Sequence, residues 1–192
     1  MHRRILLTLL AIGLLASLSG LASLAVFTDS QAVPANLFTT GTVDISTAPA
    51  SAIVTLTNMA PGDLITDDVV VSNAGTLDFR YAITSSATNA DGLALKDALT
   101  LTINTIDVTT PGTPCDDFDG TQLYTGDLDD GAGGLLVGDP AQGSDVGDRD
   151  LAVSANETLC FRVELPVAAT GPEAASTTAT FTFDAEQTVN NP

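Results

Sequence analysis

Residues 178–185, TATFTFDA, alternate between polar and apolar side chains along almost their whole length. Successive side chains of a β-strand point to opposite faces, so this alternation is typical of a strand that buries one face in an antiparallel sheet. The apolar side chains that would share the buried face are Ala179, Phe181, Phe183 and Ala185. The stretch therefore predicts a half-buried strand near the C-terminus.

The same alternation recurs upstream, interrupted by turn-forming sequences such as APGD at 60–63 and NAG at 73–75. Pro followed by Gly, and Asn close to Gly, supply the backbone angles that tight turns need. One short helix is predicted, at residues 91–98. Strands with turns between them predict an all-β protein, an antiparallel two-sheet sandwich with few or no helices. The predicted strands are residues 42–46, 53–57, 69–72, 78–83, 99–104, 160–165 and 178–185.

Residues 111–150 differ from the rest of the chain because Gly and Asp dominate them. We predict a long acidic surface insertion between strands, with a short strand at residues 122–124. Asp127, Asp129 and Asp130 suggest a calcium loop, but their spacing is one residue short of D-x-D-x-D-G and the twelfth position lacks the glutamate of that motif. Two interpretations stay open, a solvated acidic loop and weak calcium binding by these carboxylates.

The N-terminus has the order of a secretory signal peptide. Two arginines precede a long, Leu-rich run without charge, and small residues follow. Ser23 and Ala25 occupy the small-x-small positions that a signal peptidase recognises. We predict cleavage before Val26, which makes residues 1–25 a signal peptide. The alternative is an uncleaved anchor, because about 20 apolar residues can span a bilayer.

Cleavage there would leave 192 − 25 = 167 residues with a formal net charge of 4 − 24 = −20, since two arginines leave with the signal. That length suits one domain. Four basic residues are too few to bind a phosphate backbone, so nucleic acid is excluded as a partner. The only histidine is His2, within the signal, so the mature chain cannot build a Ser-His-Asp triad or a His-ligated zinc site. We predict that the protein is not an enzyme and has no catalytic residues and no certain cofactor.

If the protein is exported, two other sequence features predict covalent modifications. Cys115 and Cys160 are the only cysteines, and an even count in an exported protein favours a disulfide, with two free thiols as the alternative. Residues 156–158, NET, match the acceptor sequence for N-glycosylation. Both features depend on the route that the chain takes out of the cell.

Four blocks of sequence resemble the TasA/camelysin family of exported bacterial and archaeal proteins, many of which build biofilm-matrix fibres or surface filaments. In chain order the blocks are LAVFTD at 24–29 with NLFTTGTVDI at 36–45; NMAPGD at 58–63 with NAG at 73–75 and RY at 80–81; ETLCFRVELP at 157–166; and ATFTFDAEQ at 179–187. The resemblance implies a jelly-roll-like sandwich, maturation by a signal peptidase, and a secreted protein of the extracellular space or cell surface.

For assembly, the resemblance points to the freed N-terminal segment, residues 26–40, which precedes a sandwich domain predicted at 41–192. In fibre-forming members this segment is thought to complete the sheet of the next subunit. A neighbour's groove would bury its apolar side chains through main-chain pairing, and folding back as the first strand of its own sandwich is the alternative. The apolar side chains that need burial are Val26, Phe27, Val33, Leu37 and Phe38.

The leading hypothesis is a secreted structural protein that assembles into extracellular fibres or biofilm matrix. Its partners would be further copies of itself and other matrix or surface proteins, with a signal peptidase during export and no membrane after cleavage. The second hypothesis is a monomeric adhesion or binding module that uses the acidic loop with calcium. A camelysin-like extracellular peptidase is the third, and it has no support from the residues because the mature chain lacks histidine and a metal-protease motif.

Overall fold

The computed structural model describes residues 2–21, 37–51, 53–55, 58–106, 115–130, 134–170 and 173–191. The chain divides into two compact units, residues 1–39 and 40–192. The first contains helix α1 (His2–Leu21), whose many Leu and Ala residues favour the helical conformation. Among the described residues, no helix combines the length and the apolar character needed to cross a membrane.

The described residues of the second unit form nine strands and one short helix. The strands are β1 (Ile45–Ala48), β2 (Leu64–Asn73), β3 (Phe79–Ala87), β4 (Thr100–Thr105), β5 (Gln122–Gly126), β6 (Leu135–Val137), β7 (Arg149–Leu151), β8 (Asn156–Glu164) and β9 (Ala179–Gln187). The helix is α2 (Leu95–Ala98). Most of the strands that the alternating pattern predicts are present, within a few residues of the predicted bounds.

The strands form two sheets in which every pair is antiparallel. The first sheet has the order β1-β2-β8-β4-β5. In the second sheet, β9 pairs with the full length of β3, and both β6 and β7 also pair with β3. Each side of a strand hydrogen bonds to one neighbour at a given residue, so β6 and β7 share the side of β3 opposite β9. The prediction of an all-β antiparallel sandwich is confirmed.

The core lies between the two sheets and comes from the alternating apolar positions of β2, β3, β4 and β8. Burying a large apolar side chain contributes about 1.5–3 kcal/mol, so these four strands supply most of the stability that packing provides. The side chains with no more than 1% exposure are Val69, Val71, Phe79, Tyr81, Ile83, Leu101, Ile103, Leu159, Cys160 and Phe161.

The acidic region contributes more to the fold than the sequence predicted. It contains β5 and β6 and the start of β7, and Leu128, Leu136 and Val137 within it are buried. A surface insertion with one short strand is therefore an incomplete description. Strands of three residues, such as β6 and β7, are too short to show an alternating pattern. Residues 111–114 and 131–133 of this region lie outside the described part of the chain.

Two other predicted elements differ from the structure. Residues 53–55 of the predicted strand 53–57 are not in a strand, and residues 56 and 57 lie outside the described residues. The helix predicted at 91–98 is confined to α2, because the Asp91 carboxylate accepts hydrogen bonds from the backbone N–H of Leu93 (3.0 Å) and of Ser176 (2.7 Å). Asp91 thus holds a loop rather than capping the helix.

Candidate assembly groove

A groove of about 260 Å³ lies between β1, at the edge of the first sheet, and β9, at the edge of the second. Within the described part of the chain, no strand pairs with the outer edge of either one. Among the residues that the structure describes, no strand therefore closes the sandwich on this side. The residues that line the groove are Ile45, Ser46, Thr47, Phe181, Thr182 and Phe183.

The backbone of β9 directs hydrogen-bonding groups into the groove at alternate residues. The Thr188 N–H donates to the Asp78 oxygen (3.2 Å), and the Thr88 N–H donates to the Thr178 oxygen (3.0 Å), at the two ends of the β3–β9 ladder. Hydrogen-bonded pairs alternate along an antiparallel ladder, so the even-numbered residues of β9 bond to β3. The odd-numbered residues of β9 present their N–H and C=O groups to the groove.

The same argument applies to β1. The Ala74 N–H donates to the Asp44 oxygen (2.9 Å), just before the first paired residue of β1, Ile45. The even-numbered residues 46 and 48 therefore bond to β2, while Ile45 and Thr47 direct their backbone groups away from it. Two strand edges with free backbone groups thus face one groove.

The apolar side chains of the groove are only half-buried. Phe181 packs edge-on against the fully buried Phe161, with ring centroids 5.3 Å apart. Phe183 lies beside Tyr81, with ring centroids 6.4 Å apart. Each contacts the core on one side and leaves part of its ring exposed. The groove is therefore an opening into the core.

The chain enters β1 along a fixed path. The Thr42 N–H donates to Thr76 Oγ1 and the Thr76 N–H donates back to the Thr42 oxygen, both at 2.9 Å. Gly75 allows this approach, because a Cβ at that position would lie 2.4 Å from the Thr42 oxygen. Asn73 holds the turn: its amide donates to the backbone oxygens of Leu77 and Leu151 and accepts from the Gly75 N–H.

A polar network joins the two sheets at one end of the core. The Tyr81 hydroxyl donates to Glu157 Oε2 at 2.6 Å, and the Arg149 guanidinium forms an ion pair with the same carboxylate. Burial, reinforced by the hydrogen bond to Glu157, raises the pKa of Tyr81 above its ordinary value of 10.0. The hydrogen bond to Glu157 also raises the pKa of Arg149. Tyr81 and Arg149 belong to the second sheet and Glu157 to the first, so the network couples them.

The predicted N-terminal residues are described only in part. Ser23, Ala25 and Val26 of the predicted cleavage site, and Phe27 and Val33 of the predicted donor segment, lie outside the described residues. The two donor residues that are described, Leu37 and Phe38, are 84% and 91% exposed. These two side chains present apolar surface without cover.

The predicted disulfide is present between Cys115 and Cys160, with a Cα–Cα distance of 5.4 Å. Cys160 lies on β8, so the bond ties residues 115–120 to the outer face of the first sheet. The Arg162 guanidinium of β8 lies over the Phe118 ring, 3.8 Å from its centroid. A covalent bond and a cation–π contact therefore hold the same short segment.

The predicted calcium ligands Asp127, Asp129 and Asp130 do not belong to any group of three or more metal-ligating side chains in the described part of the chain. Asp129 is buried, with 8% exposure, and pairs with Lys96 Nζ at 3.2 Å. Hydrogen bonds to Asp97 and then to Asp129 raise the pKa of Lys96. Asp127 contributes its backbone oxygen, which accepts a hydrogen bond from Tyr124 (2.7 Å). A lysine thus supplies the positive charge beside Asp129, and part of this loop is packed rather than solvated.

The N-terminal part of the chain matches a known protein family. Residues 1–110 match the family described as camelysin metallo-endopeptidase, which is more than half of the chain and includes β1 to β4. The chain belongs to the camelysin family. This confirms the resemblance that the four sequence blocks predicted, while no curated protein matches the chain.

The camelysin name implies a metal-dependent peptidase, and such an enzyme needs several side chains that converge on one metal ion. No three or more His, Cys, Asp or Glu side chains among them are placed to hold an ion. Catalytic zinc takes three protein ligands, and histidine is the commonest of them. The sole histidine, His2, is in α1. The described part of the chain does not fit the metal that the family name implies.

Proposed function

We propose that this camelysin-family protein is an extracellular structural subunit that assembles by strand addition. The groove between β1 and β9 would be the acceptor, and residues 26–40 of a second copy would be the donor. Membership supports an extracellular structural or matrix protein at the level of the family. The observation that carries the proposal is the opening of the sandwich between two strand edges.

Unpaired strand edges are templates for pairing with another chain. Here the edges of β1 and β9 face each other across the groove. A single extended segment placed between them can hydrogen bond to both and so join the two sheets. Strand addition of this kind takes its affinity from main-chain hydrogen bonds and its specificity from pockets for alternate side chains.

The side chains support the same arrangement. Phe181 and Phe183 are partly exposed, and Leu37 and Phe38 of the donor segment are almost fully exposed, so pairing could bury apolar surface on both sides. Complete burial of a large apolar side chain contributes about 1.5–3 kcal/mol, so covering these four would give several kcal/mol. That gain would oppose the repulsion between subunits of high negative charge.

The first experiment tests the donor. The chain beginning at Val26 and a variant lacking residues 26–35 are purified and examined by negative-stain microscopy and light scattering. We expect filaments from the first and a folded monomer from the second. A peptide of residues 26–40 should raise the melting temperature of the shortened variant, and a scrambled peptide should not. Filaments that persist without the segment contradict the donor assignment.

The second experiment tests the acceptor with a matched pair of variants at Thr47. Thr47→Pro removes an N–H that faces the groove but none that bonds to β2, and Pro is tolerated on edge strands. Thr47→Val keeps that N–H and serves as the control. We expect both variants to melt near the wild type, with filament growth impaired only in Thr47→Pro. Equal growth of the two would exclude pairing along β1.

A peptidase is the second candidate, because the family is described as a metallo-endopeptidase. Hydrolysis of a protein substrate that chelators abolish, zinc restores and a single Asp or Glu substitution removes would favour it over the structural function. Stabilisation by calcium without assembly would instead favour the monomeric binding module.

A further inference from the structure

We propose that Asn156 is a glycosylation site that carries an N-linked oligosaccharide on the outer face of the first sheet. This inference is independent of strand addition, because it concerns a different surface. It rests on the sequence NET at 156–158, on the exposure of Asn156, and on the space around that side chain.

Asn156 differs from the asparagines that hold the fold together. Its side chain is exposed and makes no hydrogen bond within the described part of the chain. Asn73, Asn104 and Asn191 are buried, and the amide of each donates at least one hydrogen bond. A sugar attached to any of those would displace packed atoms, whereas the exposed position of Asn156 can accommodate one in the folded protein.

The position of Asn156 on β8 directs a glycan away from the protein. Leu159 and Phe161 of β8 point into the core, so even-numbered residues of this strand, including Asn156 and Thr158, point outward. Asn156 is the first residue of β8 and follows a turn closed by the Ala155 N–H donating to the Ala152 oxygen (3.0 Å). It therefore lies at the rim of the sheet.

The residues that neighbour Asn156 in the first sheet leave space for an attached sugar. Its partner on β2 is Ser72, and the partner of Ser72 on β1 is Ser46, so the side chains beside it in the first sheet are small. On the other side, the paired residues of β4 end at Thr105, opposite Leu159, three residues short of Asn156. No large side chain of a paired residue covers the site.

In the proposed glycosylation, a lipid-linked oligosaccharide is the co-reactant that donates the sugar. Asn156 Nδ2 forms a bond to the anomeric carbon of the sugar, and the bond from that carbon to the phosphate oxygen of the carrier breaks. The amide loses one proton and the lipid phosphate leaves. The hydroxyl of Thr158 completes the acceptor sequence, which requires Ser or Thr two residues after the asparagine.

The pairing of β8 determines at which stage of folding the sugar can be transferred. Asn156 and Thr158 belong to a strand that pairs with β2, and Glu157 between them is held by Tyr81 and Arg149. A transferase needs all three residues in its own site, so transfer precedes the pairing of β8. The glycan then remains on the outer face of β8, a strand that does not line the groove between β1 and β9.

The test uses the protein as it is recovered from the exterior of the producing cell. Peptide mass spectrometry should find hexose-containing masses on the peptide that contains Asn156, and an amidase that releases N-linked glycans should convert this residue to aspartate. Asn156→Gln and Thr158→Ala should abolish the modification. Thr158→Ser, the matched control, should retain it because the acceptor sequence is kept.

Two results would overturn the proposal. One is an Asn156 that is unmodified in all protein from the producing cell. The other is a glycan mass that persists in Asn156→Gln, which would place the sugar on another residue. Unimpaired export and melting of Asn156→Gln would show that loss of the modification does not come from misfolding.

Discussion

Tyr81 shows how one side chain serves both the apolar core and its polar edge. Its ring is fully buried and contacts Phe79 and Phe183, while its hydroxyl donates to Glu157 in the other sheet. The Glu157 side chain is 18% exposed, and a carboxylate that is largely removed from water costs free energy unless it is paired and hydrogen-bonded. Arg149 and Tyr81 together satisfy Glu157, so these residues depend on each other.

We expect Tyr81→Phe to lower the free energy of unfolding by about 2 kcal/mol, because a hydrogen bond to a charged partner contributes about 1.5–3 kcal/mol. Urea unfolding measures the change. Tyr124→Phe is the control: its hydroxyl donates to a neutral backbone oxygen, so about 1 kcal/mol is expected. A Tyr81→Phe protein as stable as the wild type would show that the bond contributes nothing net.

The two tyrosines should ionise only in strongly alkaline solution. Burial, with the nearby charges of Asp130 and Asp127, raises the pKa of Tyr124 to about 12, and burial also raises the pKa of Tyr81. A raised pKa means that the folded state favours the neutral phenol. This stabilisation is complete below the ordinary pKa of 10.0 and is lost as the pH rises through the folded values.

Ultraviolet absorbance of tyrosinate as a function of pH tests this expectation. In the native protein, the tyrosinate signal should be nearly absent at pH 10 and should grow near pH 12. In urea, both tyrosines should titrate around the ordinary value of 10.0. A native titration centred at that ordinary value would contradict the raised pKa of both tyrosines.

Among the elements, residues 115–120 and β8 are joined more firmly than hydrogen bonds alone would allow. The disulfide closes a loop with a sequence separation of 45 residues. A cross-link over such a loop stabilises chiefly by restricting the unfolded chain. It also keeps Phe118 beneath Arg162, so the outer face of the first sheet is partly covered.

Replacing Cys160 with Ala should destabilise the protein by about 3–4 kcal/mol through loss of this loop constraint. Thermal melting under oxidising conditions measures the effect, and the wild type after reduction is the control. The reduced wild type and the variant should melt at similar temperatures. An unchanged melting temperature in Cys160→Ala would show that the cross-link does not limit the unfolded chain.

The elements also show where sequence reasoning succeeded and where it failed. β3, β8 and β9 were predicted because each alternates over six or more residues, and alternation is a local property. β6 and β7 have three residues each and depend on pairing with β3, which lies far away in the chain. Their existence could not be inferred from their own residues.

At the scale of the whole molecule, charge opposes assembly. The chain after residue 25 has a formal net charge of 4 − 24 = −20, so two copies repel each other. Exposed charges are screened beyond about 10 Å at about 0.1 M ionic strength. Pairing at the groove of a second copy would therefore depend on the concentration of salt.

If subunits assemble as proposed, raising sodium chloride should lower the protein concentration at which filaments of the chain beginning at Val26 appear. Light scattering over a salt series measures this concentration. Sucrose is the control, because it favours burial of surface without screening charge. Onset that responds equally to both solutes would show that charge repulsion does not limit assembly.

The sequence by itself determined the features that depend on neighbouring residues or on composition. The alternating strands, the single pair of cysteines, the Asn73–Gly75 turn and the family blocks are of this kind. These local signals were sufficient to predict the sandwich class, because strand formation and turn geometry are set largely by nearby side chains.

Only the tertiary structure decided which edges remain unpaired and which distant side chains meet. The groove exists because β1 and β9 are end strands of different sheets, although more than 130 residues separate Thr47 from Phe181. The same holds for Lys96 beside Asp129 and for Tyr81 beside Glu157. Contacts of this kind follow from how the sheets stack, and no local pattern encodes them.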